Sequence, residues 1–168
     1  MNTNTRTITI HNETTITVPE YGRSMQMSEL QDIVRRSGSH FFDRDTMRYF
    51  RSRVDSYTMA GKDGWYFVTS EQHQVPPTSY GSGRTYPRLY TVRCLRLENY
   101  DGTPGIELYE LGEFQAFKTL NRARKAAKYA AQHGAAVCTD CRIRLAFTKE
   151  TVCSECQTRA ARREAAGA

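Results

Sequence analysis

Four cysteines near the C-terminus, Cys138-Thr-Asp-Cys141 and Cys153-Ser-Glu-Cys156, form two C-x-x-C pairs separated by eleven residues. A C-x-x-C turn presents two thiolates from one side, and a short hairpin between two such turns brings the second pair round to close a four-sulfur shell. The spacing therefore predicts one Zn²⁺ held by Cys138, Cys141, Cys153 and Cys156 in a zinc ribbon. A closed shell leaves no open coordination position, so this metal is expected to be structural. Two disulfides or a redox C-x-x-C would use the same spacing, but both suit an oxidising compartment or an oxidoreductase better than the intracellular protein expected here. The fifth cysteine, Cys94, lies in a strand-like run with no obvious mate and reads as a small buried side chain.

The second chemical signal is charge. The chain has 168 residues and a formal net charge of +6, but the excess is uneven. Residues 1–117 hold 13 Lys+Arg against 14 Asp+Glu, whereas residues 118–168 hold 11 against 4. Binding one Zn²⁺ with four thiolates would remove some of that excess and still leave a positive footprint suited to phosphates. Arginine outnumbers lysine 19 to 5, which fits bidentate phosphate or base contacts and equally fits a GC-rich genome. The basic residues expected to face nucleic acid, DNA or RNA, are Arg122, Arg124, Lys125 and Lys128 on a helix, with Arg142 and Arg144 on the ribbon hairpin.

These residues need elements to position them. Arg6–Val18 alternates Thr with Ile8, Ile10, Ile16 and Val18 around His11-Asn12-Glu13, which predicts a hairpin apolar on one face. Ser28 with Gln31 makes a capping box for a short helix through Leu30, Ile33 and Val34 that stops at Gly38. A second helix is expected from Asp43 or Asp45, with Met47, Phe50 and Val54 inside and Arg44, Arg48 and Arg51 outside. Strands are expected at Trp65–Glu71, Leu89–Leu97 and Ile106–Leu111, the last two joined at Asp101-Gly-Thr-Pro-Gly105. Residues 73–88 read as a mobile loop. Its Gly81-Ser-Gly83 is followed by no helix and so makes no nucleotide loop. Thr119 caps a third helix with Leu120, Ala123, Ala127 and Ala130 inside, ended by Gly134.

The resulting expectation is an α+β fold, a small antiparallel sheet with packed helices plus the C-terminal zinc ribbon. Its parts are an N-terminal hairpin over 1–20, the main domain over 21–134, the ribbon over 135–157 and a basic tail over 158–168, helical or disordered. The first twenty residues contain neither a signal-peptide apolar run nor a membrane span, so a soluble, cytoplasmic protein is expected.

Three resemblances bear on function. The order helix, three antiparallel strands, helix over residues 43–133 resembles a double-stranded-RNA-binding domain. Within it, Arg124-Lys-Ala-Ala-Lys-Tyr-Ala-Ala131 resembles the basic start of that family's last helix, which implies lysines meeting phosphates across a groove. The run from Gly112-Glu-Phe-Gln-Ala-Phe-Lys-Thr-Leu120 through Ala123 and Ala127 is similar to three-strand-plus-helix DNA readers of the plant ethylene-response-factor and integrase-arm type. Third, Arg36-Ser-Gly-Ser-His-Phe-Phe-Asp43, Met47-Arg-Tyr-Phe-Arg-Ser-Arg53, Phe67–Glu71, Arg88–Arg93 and Gly112–Phe117 together resemble an uncharacterised family of small proteins from tailed phages of actinobacteria. That resemblance implies a phage origin and a host-cell cytoplasm, and leaves the hairpin and the cysteines outside it.

The first functional expectation is a non-enzymatic protein that binds nucleic acid through its C-terminal basic surface. A second is a host-takeover or counter-defence protein that binds and modulates a host protein, for which a zinc ribbon serves equally well as a docking surface. A metal-dependent nuclease is a third reading. It would draw on His40, Asp43, Asp45, Glu71 and His73, although Asp43 and Asp45 also read as helix caps and His40 sits beside Phe41 and Phe42.

Overall fold

The computed structural model describes residues 5–10, 13–147 and 150–167. The first element is an antiparallel hairpin, β1 (Thr5–Thr9) and β2 (Thr15–Pro19), in which Ile8 faces Ile16. Of its expected turn, His11 and Asn12 lie outside the described residues. Ile8, Ile10, Ile16 and Val18 are buried and share one core with Leu30, Ile33 and Val34 of α1 (Met27–Arg36) and with Trp65, Phe67 and Leu95 of the main sheet. The hairpin thus packs into the main core, because its apolar face is too small to exclude water alone. The expected capping box is not formed. Gln26 occupies the N-cap and makes no side-chain cap bond, and Ser28 lies inside the first turn.

The second helix is shorter than its pattern suggests. α2 spans Arg44–Tyr49, Arg51 adopts a positive φ of 49°, and β3 (Arg53–Ala60) begins two residues later. Val54 is therefore a strand residue and Phe50 is 47% exposed instead of facing inward. The reason is tertiary. β3 has a sheet edge to pair with, and hydrogen bonding to β4 (Trp65–Glu71) outweighs continuing a helix through Val54 and the β-branched and aromatic residues after it.

Among the described residues the central sheet has six strands in the order β3-β4-β7-β8-β10-β9, where β7 is Leu89–Tyr100, β8 is Thr103–Leu111, β9 is Ala136–Val137 and β10 is Arg144–Ala146. Between β4 and β7 the long loop carries a two-stranded ribbon, β5 (Gln74–Val75) and β6 (Arg84–Thr85). Asp101 (φ 51°) and Gly102 (φ 89°) form a two-residue turn between β7 and β8, the positive-φ geometry that matches strand twist. The sheet departs from the purely antiparallel expectation at β10, which pairs parallel to β8 because α3 (Leu120–His133) carries the chain back across the sheet.

α3 lies on the face opposite the hairpin. Ala123, Ala127 and Ala130 are buried against Tyr66, Val68, Val92, Cys94 and Leu111, while Leu120, expected in the same stripe, is only partly buried. Small side chains let the helix approach the sheet closely. The Thr119 hydroxyl accepts from the Arg122 N–H, and Gly134 follows the last turn with φ 83°. The last element is α4 (Ser154–Gly167), which starts inside the second cysteine pair. Among the described residues no helix is long and apolar enough to cross a membrane.

Candidate metal centre and nucleic-acid interface

The cysteine pairs converge as their spacing requires. The four sulfurs of Cys138, Cys141, Cys153 and Cys156 all lie within 4.8 Å of one another, and Cys141 Sγ is 3.9 Å from Cys153 Sγ. A tetrahedral ion with metal–sulfur bonds of about 2.3 Å sets its sulfurs about 3.8 Å apart, so the group could hold a metal ion without large movement. Two short elements present it. The first pair leaves β9 in a turn closed by Arg142 N–H donating to Cys138 O (3.0 Å), and the second opens α4. The Cys153 N–H donates to Cys138 Sγ at 3.3 Å.

The electrostatics of this donor set suit a cation. Burial pushes the Cys138 thiol up, but backbone N–H groups of Cys141, Cys153 and Asp140 outweigh it and bring it down to about 6. Burial raises Cys153, and burial together with the neighbouring sulfurs pushes Cys156 up to about 12. Thiols this crowded cannot all ionise against one another unless a positive ion sits among them.

The six predicted cationic residues divide into two sets. Arg122, Lys125 and Lys128 are exposed on α3, Arg142 is exposed on the first cysteine turn at a φ of 56°, and among the described residues none of the four makes an ion pair. Arg124 and Arg144 are held by carboxylates. Arg124 grips Asp55 with two bonds, Nε to Oδ2 at 2.6 Å and Nη2 to Oδ1 at 2.7 Å, and lies over the Tyr57 ring. Asp55 and Tyr57 sit where the β3 register shifts against β4, so a bulge aims them at the helix. Arg144 is bonded to Glu110 Oε2 and paired with Glu155.

The groups that a nuclease would use are dispersed. His40 Nδ1 and Asp43 Oδ2 are 2.7 Å apart on the surface, His73 stacks against Tyr86, and Asp45 is exposed. Glu71 is buried and accepts the hydroxyls of Thr69 (2.7 Å) and Thr91 (3.1 Å). Among the described residues, the group of three or more His, Cys, Asp or Glu side chains placed to hold a metal is the cysteine set.

The buried charged group around Arg93 leaves little sign in the sequence. Arg93 is 6% exposed, donates from Nε to Thr69 and from Nη1 to Glu110 (3.1 Å), and stacks on Phe41 at 4.4 Å. The one available signal was Arg93 inside an apolar strand, a position that needs a paired charge.

The family described as "Family of unknown function (DUF7447)" matches residues 26–128. No curated protein and no solved structure matches the chain. The matched segment runs from α1 through most of α3 and leaves the β1–β2 hairpin and all four clustered cysteines outside it. With more than half of its length covered, the chain belongs to this family of unknown function.

Proposed function

We propose that this protein binds nucleic acid without transforming it, using the exposed side of α3 together with the cysteine module, which one structural Zn²⁺ makes rigid as a ribbon. The observation that carries this reading is the row Arg122, Lys125, Lys128. These cations stay exposed and without ion pairs among the described residues, while their neighbours Arg124 and Arg144 are taken up by carboxylates. Unneutralised cations on a helix face are the features that displace counterions from a phosphate backbone, and the helix has no acidic residue in its first turn to oppose them. Such contacts position a duplex without reading its sequence.

An all-thiolate, closed set with tetrahedral sulfur spacing supports zinc over magnesium or calcium, which prefer oxygen ligands. Bound zinc would fix the Cys138–Cys141 turn, and with it Arg142, against β10. The resemblance to tailed-phage proteins supports action in a host cytoplasm. A mobility-shift titration of the zinc-loaded chain on duplex DNA and duplex RNA across a salt series tests the reading, which expects binding that weakens steeply as salt rises. Absence of binding to both at low salt would favour the host-protein reading.

A further inference from the structure

α2, the start of β3 and the ends of β4 and β7 surround a set of neighbouring concavities away from the solvent side of α3. The first has a volume of about 380 Å³, with Phe41, Phe50 and Phe114 as walls and Glu71, Arg93 and Glu110 among its polar lining. The second, of about 440 Å³, shares Ser52 with the first and carries Arg48, Arg51, Arg53 and Arg88. Among the described residues no carboxylate lines that second hollow and none of the four arginines makes an ion pair. Arg88 is fixed in place by donating to Arg51 O (2.8 Å) and Ser70 O (3.0 Å). Burial, and then the neighbouring Arg53 charge, pull its guanidinium below the ordinary value. Four cations gathered in one hollow repel one another, and an anion relieves that repulsion.

The first cavity is built differently. Arg93 Nη2 is paired with Glu71 Oε1 at 3.6 Å, and Glu71 also accepts the Thr69 and Thr91 hydroxyls, so a guanidinium and a carboxylate are held side by side in the lining. That juxtaposition matches the edge of a planar heterocycle carrying an acceptor next to a donor; the Phe41 ring is covered by the Arg93 guanidinium, which leaves the half-exposed Phe50 ring to meet its face. Tyr49, 82% exposed, packs edge-on to Phe50 and lines the neighbouring concavity that shares Phe50. Rings can stack on a base only after it has left its own stack, which makes a single strand, and not a duplex, the ligand for such a cavity.

We propose that the cavity beside α2 receives one unstacked nucleobase of a single-stranded nucleic acid, while Arg48, Arg51, Arg53 and Arg88 hold the phosphates that flank it. This site is separate from the α3 row and does not need it. Residues 1–117 balance in charge, which hides the cluster in the sequence, yet three of the acids nearest the sheet are engaged with other arginines: Asp55 with Arg124, Asp63 with Arg96, and Glu110 with Arg93 and Arg144.

The test is fluorescence anisotropy of the full zinc-loaded chain with labelled single-stranded homopolymers of each base and with a blunt duplex. Changing Arg48, Arg51 and Arg53 together to Gln is expected to lower the slope of log affinity against log salt for the strands by about 2, at about 0.7 for each phosphate no longer neutralised. Phe50→Ala is expected to weaken strand binding roughly tenfold at fixed salt with the slope unchanged. Phe50 is half exposed, and Phe50→Leu, which keeps apolar bulk but removes the ring, separates stacking from folding: it should lose affinity as Phe50→Ala does. Unchanged strand affinity and slope in both the arginine and the Phe50 variants overturns the proposal. So does a free nucleoside monophosphate that competes, mole for mole, as well as the strand, because the cavity then serves a free nucleotide. Binding of duplex but not strand by the wild-type chain overturns this site and leaves the α3 reading standing; binding of strand but not duplex does the reverse.

Discussion

Arg144 Nη2 lies 2.8 Å from Glu155 Oε2, and Glu155 stands between two of the clustered cysteines, Cys153 and Cys156. The same guanidinium donates through Nε to Glu110 on β8 at 3.2 Å. Burial opposes its charge, but Glu110 and Glu155 outweigh that and raise the Arg144 pKa. One side chain thus ties the cysteine module to the sheet, and its charge is paired inside the protein. Arg144→Ala is therefore expected to lower the melting temperature and speed loss of the metal to a chelator, while leaving the salt slope of nucleic-acid binding unchanged. A slope that falls by a full charge would place Arg144 at the nucleic acid after all.

The metal itself should be stoichiometric. Elemental analysis of the purified chain is expected to give one zinc per molecule, and Cys141→Ser to abolish it. Structural zinc contributes on the order of 10–16 kcal/mol of apparent binding energy in small peptides, so its loss should unfold residues 137–157. Hydrogen exchange should then show fast amides over β9 and β10 and continued protection in β4 and β7. Absence of zinc from protein purified under reducing conditions would falsify this.

How much of this structure is legible in the sequence depends on the range of the interactions involved. Trp65–Glu71 is legible to the residue, and Thr119 and Gly134 mark the ends of α3, because cap chemistry and apolar runs are local signals. β3 is not legible. Its pairing is non-local, and Met47, Phe50 and Val54 mimic a helical stripe that the turn at Arg51 interrupts. The cysteine group can be read from its spacing alone. The fate of each cation is hidden, since Asp55 lies 69 residues before Arg124 and Glu110 lies 34 before Arg144.

The close packing of α3 on the sheet sets its own prediction. Ala127 is fully buried against strand residues, so Ala127→Leu should overpack the layer and destabilise the fold by about 1–3 kcal/mol. Chemical denaturation with an unchanged midpoint would contradict the packing of this helix.

Cys94 offers a test of burial and pH together. Burial pushes its thiol up to about 12, with Arg96 pulling partly back. A folded value above the unfolded one means that the contribution is fully present below about pH 9 and is lost as pH rises toward 12. Alkylation at neutral pH is expected to spare all five cysteines in the zinc-loaded chain, to reach the four metal-site thiols after chelation, and to reach Cys94 only on unfolding. Rapid labelling of Cys94 in the native chain would contradict its placement beneath α3.

The central claim is that the exposed cations of α3 carry nucleic-acid binding, and the most direct measurement is the salt dependence of duplex affinity for wild type against a chain with Arg122, Lys125 and Lys128 changed to Ala. Alanine keeps helix propensity, so the variant should fold. Each phosphate no longer neutralised on a B-form DNA duplex should reduce the slope of log affinity against log salt by about 0.9, so a slope shallower by up to about 3, with weakening across all sequences, is the predicted result. An unchanged slope and affinity in the triple variant, or no duplex binding by wild type at low salt, would contradict this role for α3.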